Sequence, residues 1–326
     1  MTSLKHKIRS FDLFCGAGGS SCGAAQAGVE IAGGIDLWDR AIETFRGNFP
    51  QAMTFQSRTD ALNAMKVAKE VGRIDLLLAS PECTNHSVAK GAAPRDEESR
   101  RTAYEVIRYA KAFNPRWIVV ENVVSMQNWA SYHDWMSQLK KLGYHTRELK
   151  LNASSFRVPQ SRRRLIIVAD RERSPNIPQH RSRKAPSVRK ALHLQHADFK
   201  YSYNRRPLFS ESRAAATLER ARRAISEIGE EKPFLLVYYG SDAAGGWQSL
   251  ERPLRTITTL DRFALVVPGV NGHEMRMLQP PELAAAMGFP KDYRWPRSVT
   301  RREHIKLIGN AVAPPMMKAV VEALIS

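Results

Sequence analysis

The 326-residue chain is 43% hydrophobic and 25% charged, the balance of a globular protein with one large domain, or a large domain and a smaller partner. Its 50 Lys and Arg outnumber 32 Asp and Glu, and a net charge of +18 favours a polyanionic partner. No apolar run approaches bilayer length, the N-terminus lacks a secretion signal, and three cysteines without CxxC spacing argue against disulfides and a metal site.

The first part of the chain alternates strand and helix. IRSFDLF predicts a buried strand, CGAGGSS a turn, and the small residues up to Gly28 a helix. EIAGGIDL is a second strand, followed by a helix over residues 39–48 and a weaker strand over 52–55. TDALNAMKVAKEVG is helical, IDLLLAS is an apolar strand, and SPECTNHSVAKGAAP is a long loop. A helix over 97–113 leads to the strand RWIVVEN, and RRRLIIVAD supplies another. Such alternation predicts a parallel sheet covered on both faces, with ligands bound beyond the carboxyl ends of its strands. The ends at CGAGG, SPEC and ENV should therefore converge.

Beyond residue 170 the pattern changes to Pro, Arg, Ser and His, with a helical run over 212–228 and short strands at FLLVYYG, RTITT and FALVV. Residues 184–272 are expected to form a second, smaller domain, and residues 283–325 a helical tail interrupted by IGNAVAPPM. Arginine dominates the basic stretch over 162–206, and its planar fork suits phosphates and guanine edges.

Several residues are candidates for chemistry. Gly16, Gly18 and Gly19 let the backbone turn tightly before a helix N-terminus that favours a negative group. Ser21 stands where a dinucleotide pattern wants Gly or Ala, which weakens a nicotinamide or flavin assignment. Asp36 ends the second strand, where it could accept from two ribose hydroxyls or simply open a helix. Cys15 and Cys22 lie among small residues and read as core thiols. Cys83 sits among Ser, Glu, Thr and Asn, a setting for a nucleophile rather than a buried thiol. Glu121 follows three apolar residues at a strand end, and alternation places Arg162 and Arg164 on one face of the next strand.

In this order, DLFCGAGG, the proline–cysteine loop, ENV, QxRxR and Gly309-Asn310-Ala311-Val312 resemble the motifs of the DNA cytosine-5 methyltransferases. PLRTITT from Pro253 and RMLQPPELAAAMGFP from Arg276 resemble further family segments. The resemblance implies an α/β fold: a Rossmann-like S-adenosylmethionine-dependent methyltransferase sheet over residues 1–183 and 273–326, with a target-recognition domain over 184–272. It implies S-adenosylmethionine as cofactor, with Phe14 against the adenosine and Gly16, Gly18 and Gly19 facing the methionine part. Asp36 would hold the ribose, Asp60 the adenine amino group, Pro81 would line the site and Asn310 would close it. Cys83 would add to carbon 6 of a flipped-out cytosine, Glu121 would bond N3, Arg164 would hold O2, and Arg162 would position the loop or a phosphate.

The implied partners are double-stranded DNA and a cognate restriction endonuclease, for a cytoplasmic monomer, bacterial or phage-encoded, with no membrane attachment. Two departures stand out. Glu82 intervenes between Pro81 and Cys83, where its charge would raise the thiol pKa, and Thr84 replaces the usual glutamine. Arg157 occupies a position where the family often has glycine. A tRNA cytosine-5 methyltransferase and an inactive DNA-binding relative remain alternatives. An amino-methyltransferase would need a (D/N)PP(Y/F) motif that the chain lacks.

Overall fold

A computed structural model describes residues 7–81, 97–179, 184–194, 205–239 and 245–326. Seven strands form the first sheet: β1 (Arg9–Leu13), β2 (Glu30–Asp36), β3 (Met53–Gln56), β4 (Leu76–Ala79), β5 (Trp117–Asn122), β6 (His145–Asn152) and β7 (Arg163–Asp170). Their order is β3-β2-β1-β4-β5-β7-β6. The first five in sequence are parallel, as their alternation with helices requires, but β7 runs antiparallel to both β5 and β6. The expected all-parallel sheet thus ends in an antiparallel pair. The strand order reverses between β1 and β4, and this reversal opens a crevice at the carboxyl edge.

The strands β1, β4 and β5 are buried on both faces, which explains their unbroken apolar runs. Phe11, Leu77 and Ile118 pack with α3 (Ala64–Val71), α4 (Glu97–Phe113) and α5 (Tyr132–Lys141). Leu76, Leu78 and Val119 face α1 (Gly19–Gln26) and the C-terminal helices. Up to Ala25 the helix α1 carries only small side chains for a steric reason: a Cβ at Gly23 would come within 2.6 Å of the Pro314 carbonyl oxygen at the start of α9 (Pro314–Ile325). Close approach lets α9 bury Met316, Met317, Val320, Val321 and Leu324, each contributing about 1.5–3 kcal/mol. The remaining helix of the first layer, α2 (Asp39–Asn48), buries Ile42 and Phe45.

The second sheet is antiparallel, in the order β10-β9-β11-β12-β8. Its strands are β8 (Arg206–Pro207), β9 (Phe234–Val237), β10 (Trp247–Ser249), β11 (Phe263–Val267) and β12 (Glu274–Met277), so it extends past residue 272. Alternation divides FLLV between two cores. Phe234 and Leu236 meet Ala221 and Ala224 of α6 (Ala215–Ile228), whereas Leu235 and Val237 join the main core. After β12 come α7 (Pro280–Met287) and α8 (Arg301–Asn310). The expected strand at RTITT is absent: only Leu254 bridges, to Gln160, and the segment runs on irregularly. Residues 301–325 are apolar enough to cross a membrane by length and composition, yet the break between α8 and α9 divides them and 67% of their most apolar stretch is buried.

Candidate active site

The turn after β1 is built from left-handed residues, with φ of +58° at Phe14, +52° at Gly16 and +80° at Gly18. Its anchor is Asp36 at the end of β2. One carboxylate oxygen accepts from Gly16 N–H at 2.8 Å, the other from Trp38 N–H at 2.9 Å just before α2. Asp36 therefore both fixes the turn and opens a helix, and a carboxylate oxygen can accept further bonds, as a ribose diol requires.

The three glycines differ. A Cβ at Gly16 meets nothing within 4 Å, so the turn is open there. At Gly18 a Cβ would sit 2.7 Å from the Tyr293 hydroxyl, and at Gly19 2.2 Å from the Val312 carbonyl oxygen. At those two glycines the missing side chain makes room for the C-terminal segment and, at Gly18, for Phe49 as well. Beside the open face stand the half-buried Phe14 and Leu37, whose side chain is 62% exposed directly after Asp36. An open glycine face flanked by apolar side chains and a carboxylate fits an adenosine-bearing cofactor. Asp60 lies on the turn after β3, bonded to Arg58 at 2.7 and 3.0 Å, and that guanidinium lowers its pKa.

At the ends of β5 and β7 the antiparallel register pairs Glu121 with Ile166, which makes Arg164 a diagonal neighbour of Glu121 on the same face. Both side chains are largely buried, and Arg164 Nε lies 2.8 Å from Glu121 Oε1. The contact is ionic without hydrogen-bond alignment, so it holds the carboxyl while leaving its hydrogen-bonding capacity for a further group. The adjacent Asn122 donates to the Pro81 carbonyl at 3.1 Å, and Ser80 N–H donates to Leu13 O at 3.1 Å. The end of β4 is thereby tied to β5 and β1. Cys83 and Glu82 lie outside the described residues.

Alternation along β7 is borne out, with Arg162 and Arg164 buried and Arg163 exposed between them. Arg162 is no phosphate ligand here. It is 2% exposed and donates to the Ile257 and Gly309 carbonyls at 3.0 and 2.9 Å. Gln160, also buried, accepts from Ile257 N–H at 3.0 Å. The QSRRR segment thus holds RTITT against the end of α8, where a Cβ at Gly309 would lie 2.3 Å from Thr258 O. This packing is why RTITT is not a strand. Asn310 is exposed at the end of α8.

Burial raises the Cys22 thiol to about 12 and pushes Cys15 well above its ordinary value, with Asp36 adding repulsion at Cys15. Neither is a thiolate nucleophile. Two further residues escaped the sequence reading. Asp12, buried in β1, accepts from the Ser21 hydroxyl at 2.7 Å, and desolvation lifts its pKa to about 7. Tyr293 donates its hydroxyl to Ala17 O inside the glycine turn. The aromatic series Phe289, Tyr293 and Trp295 within GFPKDYRW was the available signal for Tyr293.

The C-5 cytosine-specific DNA methylase profile matches residues 8–326. Type II methyltransferase M.HgiDI of Herpetosiphon aurantiacus is 28% identical over 94% of this chain and 90% of its own length. Type II methyltransferase M.HindV of Haemophilus influenzae is 27% identical over 98% and 97%. Among solved structures, a putative DNA modification methyltransferase encoded within an E. coli prophage superposes with a TM-score of 0.70 at 19% identity, covering 98% of this chain and 99% of that one. The DNMT2 of Spodoptera frugiperda superposes at 0.68 with 18% identity, covering 98% and 100%. These two show likeness of fold. The chain belongs to the C-5 cytosine-specific DNA methylase family.

Proposed function

We propose that the chain methylates carbon 5 of cytosine within a specific double-stranded DNA sequence, through a covalent bond between Cys83 and carbon 6 of a flipped-out base. The family takes its methyl group from S-adenosylmethionine, whose sulfonium supplies an electrophilic methyl. The observation that carries the proposal is the buried Glu121–Arg164 contact at the carboxyl edge, one residue from the Asn122 bond to Pro81.

Carbon 5 of cytosine is too electron-poor to attack a sulfonium methyl unaided. The Cys83 thiolate adds to carbon 6, and the electron pair moves through the ring so that carbon 5 becomes enamine-like. Glu121, held by Arg164, shares a proton with N3 as charge builds there, and Arg164 extends to O2. After transfer, a base takes the carbon 5 proton, the carbon 5–carbon 6 double bond re-forms, and the thiolate leaves. Gly16, Phe14, Leu37 and Asp36 would hold the cofactor, with Asp60, Pro81 and Asn310 completing the site. The net charge of +18 offsets the few kcal/mol that unstacking a base costs.

We assign sequence choice to residues 184–272 with β12, and to the chain a monomeric mode of action, a cytoplasmic location with bacterial or phage encoding, and a cognate restriction endonuclease as counterpart; the Type II relatives support the last. Expression in a methylation-free host followed by methylation sequencing tests this. The expected result is 5-methylcytosine in one motif, and exchange of the second domain for a relative's should change the motif. Unmethylated DNA, or methylation of tRNA alone, would overturn the proposal.

A further inference from the structure

The glycine turn is clamped from its protein side by one peptide unit. The peptide joining Ala17 to Gly18 is tied at both ends: Gly18 N–H donates to Cys15 O at 2.8 Å, and Ala17 O accepts from the Tyr293 hydroxyl. A planar peptide tied at both ends cannot rotate without breaking a bond. The flanking residues Gly16 and Gly18 are both left-handed, so this plane sets the direction in which the turn faces.

Tyr293 is built for that task. Its ring is wedged between Phe289 and Trp295, with centroids 4.7 and 5.4 Å away, and Trp295 meets His304 of α8 at 5.0 Å. Burial raises the phenol well above 10, which keeps it a proton donor at every working pH. The absence of a side chain at Gly18 is what admits the hydroxyl. On the opposite side, Asp36 holds Gly16 N–H. The turn is therefore gripped by Asp36 from β2 and by Tyr293 from the segment after α7, nearly the whole chain apart in sequence.

We infer that Tyr293 is a positioning residue for the cofactor: through the Ala17–Gly18 peptide it fixes the turn against which S-adenosylmethionine binds. The inference rests on the assignment of that turn as the cofactor site. It predicts an effect on cofactor affinity that loss of an ordinary buried hydroxyl would not produce.

The test compares the full-length wild type with Tyr293→Phe, which keeps the ring, and with Tyr144→Phe. Tyr144 donates to Pro115 O at 2.6 Å, and its bond ties the start of β5 to the helix α5–β6 connection at the opposite edge of the sheet. S-adenosylhomocysteine and S-adenosylmethionine affinities are read by calorimetry, and KM for each substrate and kcat by methyl transfer. Tyr293→Phe should weaken both cofactor forms roughly three- to tenfold and raise KM for S-adenosylmethionine equally, the usual effect of one lost hydrogen bond. KM for DNA should hold and kcat should stay within about twofold, while Tyr144→Phe lowers stability and leaves cofactor affinity unchanged. Cofactor affinity unchanged in Tyr293→Phe, or reduced equally in both variants, overturns the inference alone. A wild type that binds neither cofactor form overturns the site assignment and the inference together.

Discussion

Glu282→Ala should destabilise the fold by about 3–5 kcal/mol, the cost of breaking a buried ion pair by removing one partner. Glu282 and Arg276 have side chains 0% and 1% exposed. Both Arg276 terminal nitrogens reach the carboxylate at 2.7 Å, and the same two oxygens accept from His193 N–H and Gln279 N–H at 2.8 Å. Alanine would strand a buried guanidinium and two backbone donors at the junction of β12, α7 and the 187–194 segment. Loss of the pair by Arg276→Met with Glu282→Leu should recover part of that cost, because neither charge then remains buried although the His193 and Gln279 N–H groups stay unpaired. Urea unfolding of the wild type and the two variants measures this, with the slope checked for constancy. A single-variant loss below about 1 kcal/mol, or a double variant as unstable as Glu282→Ala, would refute the reasoning.

Two further predictions concern the turn region and the strained backbone. Asp12 is raised from 3.8 to about 7, so between those values the folded state keeps a proton that the unfolded chain has lost. Its contribution is therefore full below pH 4 and lost as pH rises through 7, and Asp12→Asn should gain relative to wild type by at most about 4 kcal/mol between pH 4 and 8; a pH-independent difference in unfolding free energy would contradict this. Arg157 has a φ of +63°, which accounts for the glycine common at this position in the family. Arg157→Gly should stabilise by about 0.5–1 kcal/mol once the flexibility of glycine in the unfolded chain is subtracted, seen as a small rise in Tm.

The first half of the fold was legible because its signals are local. Apolar strands end in turns that only glycine or a short acid can serve, and Asp36 stands one strand over from the turn it holds. The strand β6 was missed because HTRELKLN lies at the sheet's edge and carries Arg147, Glu148 and Lys150, leaving Leu149 and Leu151 as its only inward apolar groups. RTITT carries strand-like residues, yet its bonds go to Gln160, Arg162 and Ser161 instead of a ladder. Arg162 shows the same limit at the site. The resemblance implied a residue that positions the loop or a phosphate, and its observed partners are carbonyls contributed by segments 95 and 147 residues away, which no local pattern records. Gly18 and Gly19 face the same limit, since the nearest atoms to the space their side chains would fill are the Tyr293 hydroxyl and the Val312 carbonyl, both distant in sequence.

Covalent trapping tests the central claim most directly. Duplex DNA carrying 5-fluorocytosine at the methylated position is incubated with enzyme and S-adenosylmethionine, denatured, and digested for peptide mapping. Because fluorine cannot leave carbon 5 as a proton does, the thiol adduct should persist, with the methylated base attached to the peptide containing Cys83. Cys83→Ser should form no adduct and turn over no DNA while binding cofactor within a few-fold of wild type. An adduct on Cys15 or Cys22, or a fully active Cys83→Ser enzyme, would contradict the mechanism.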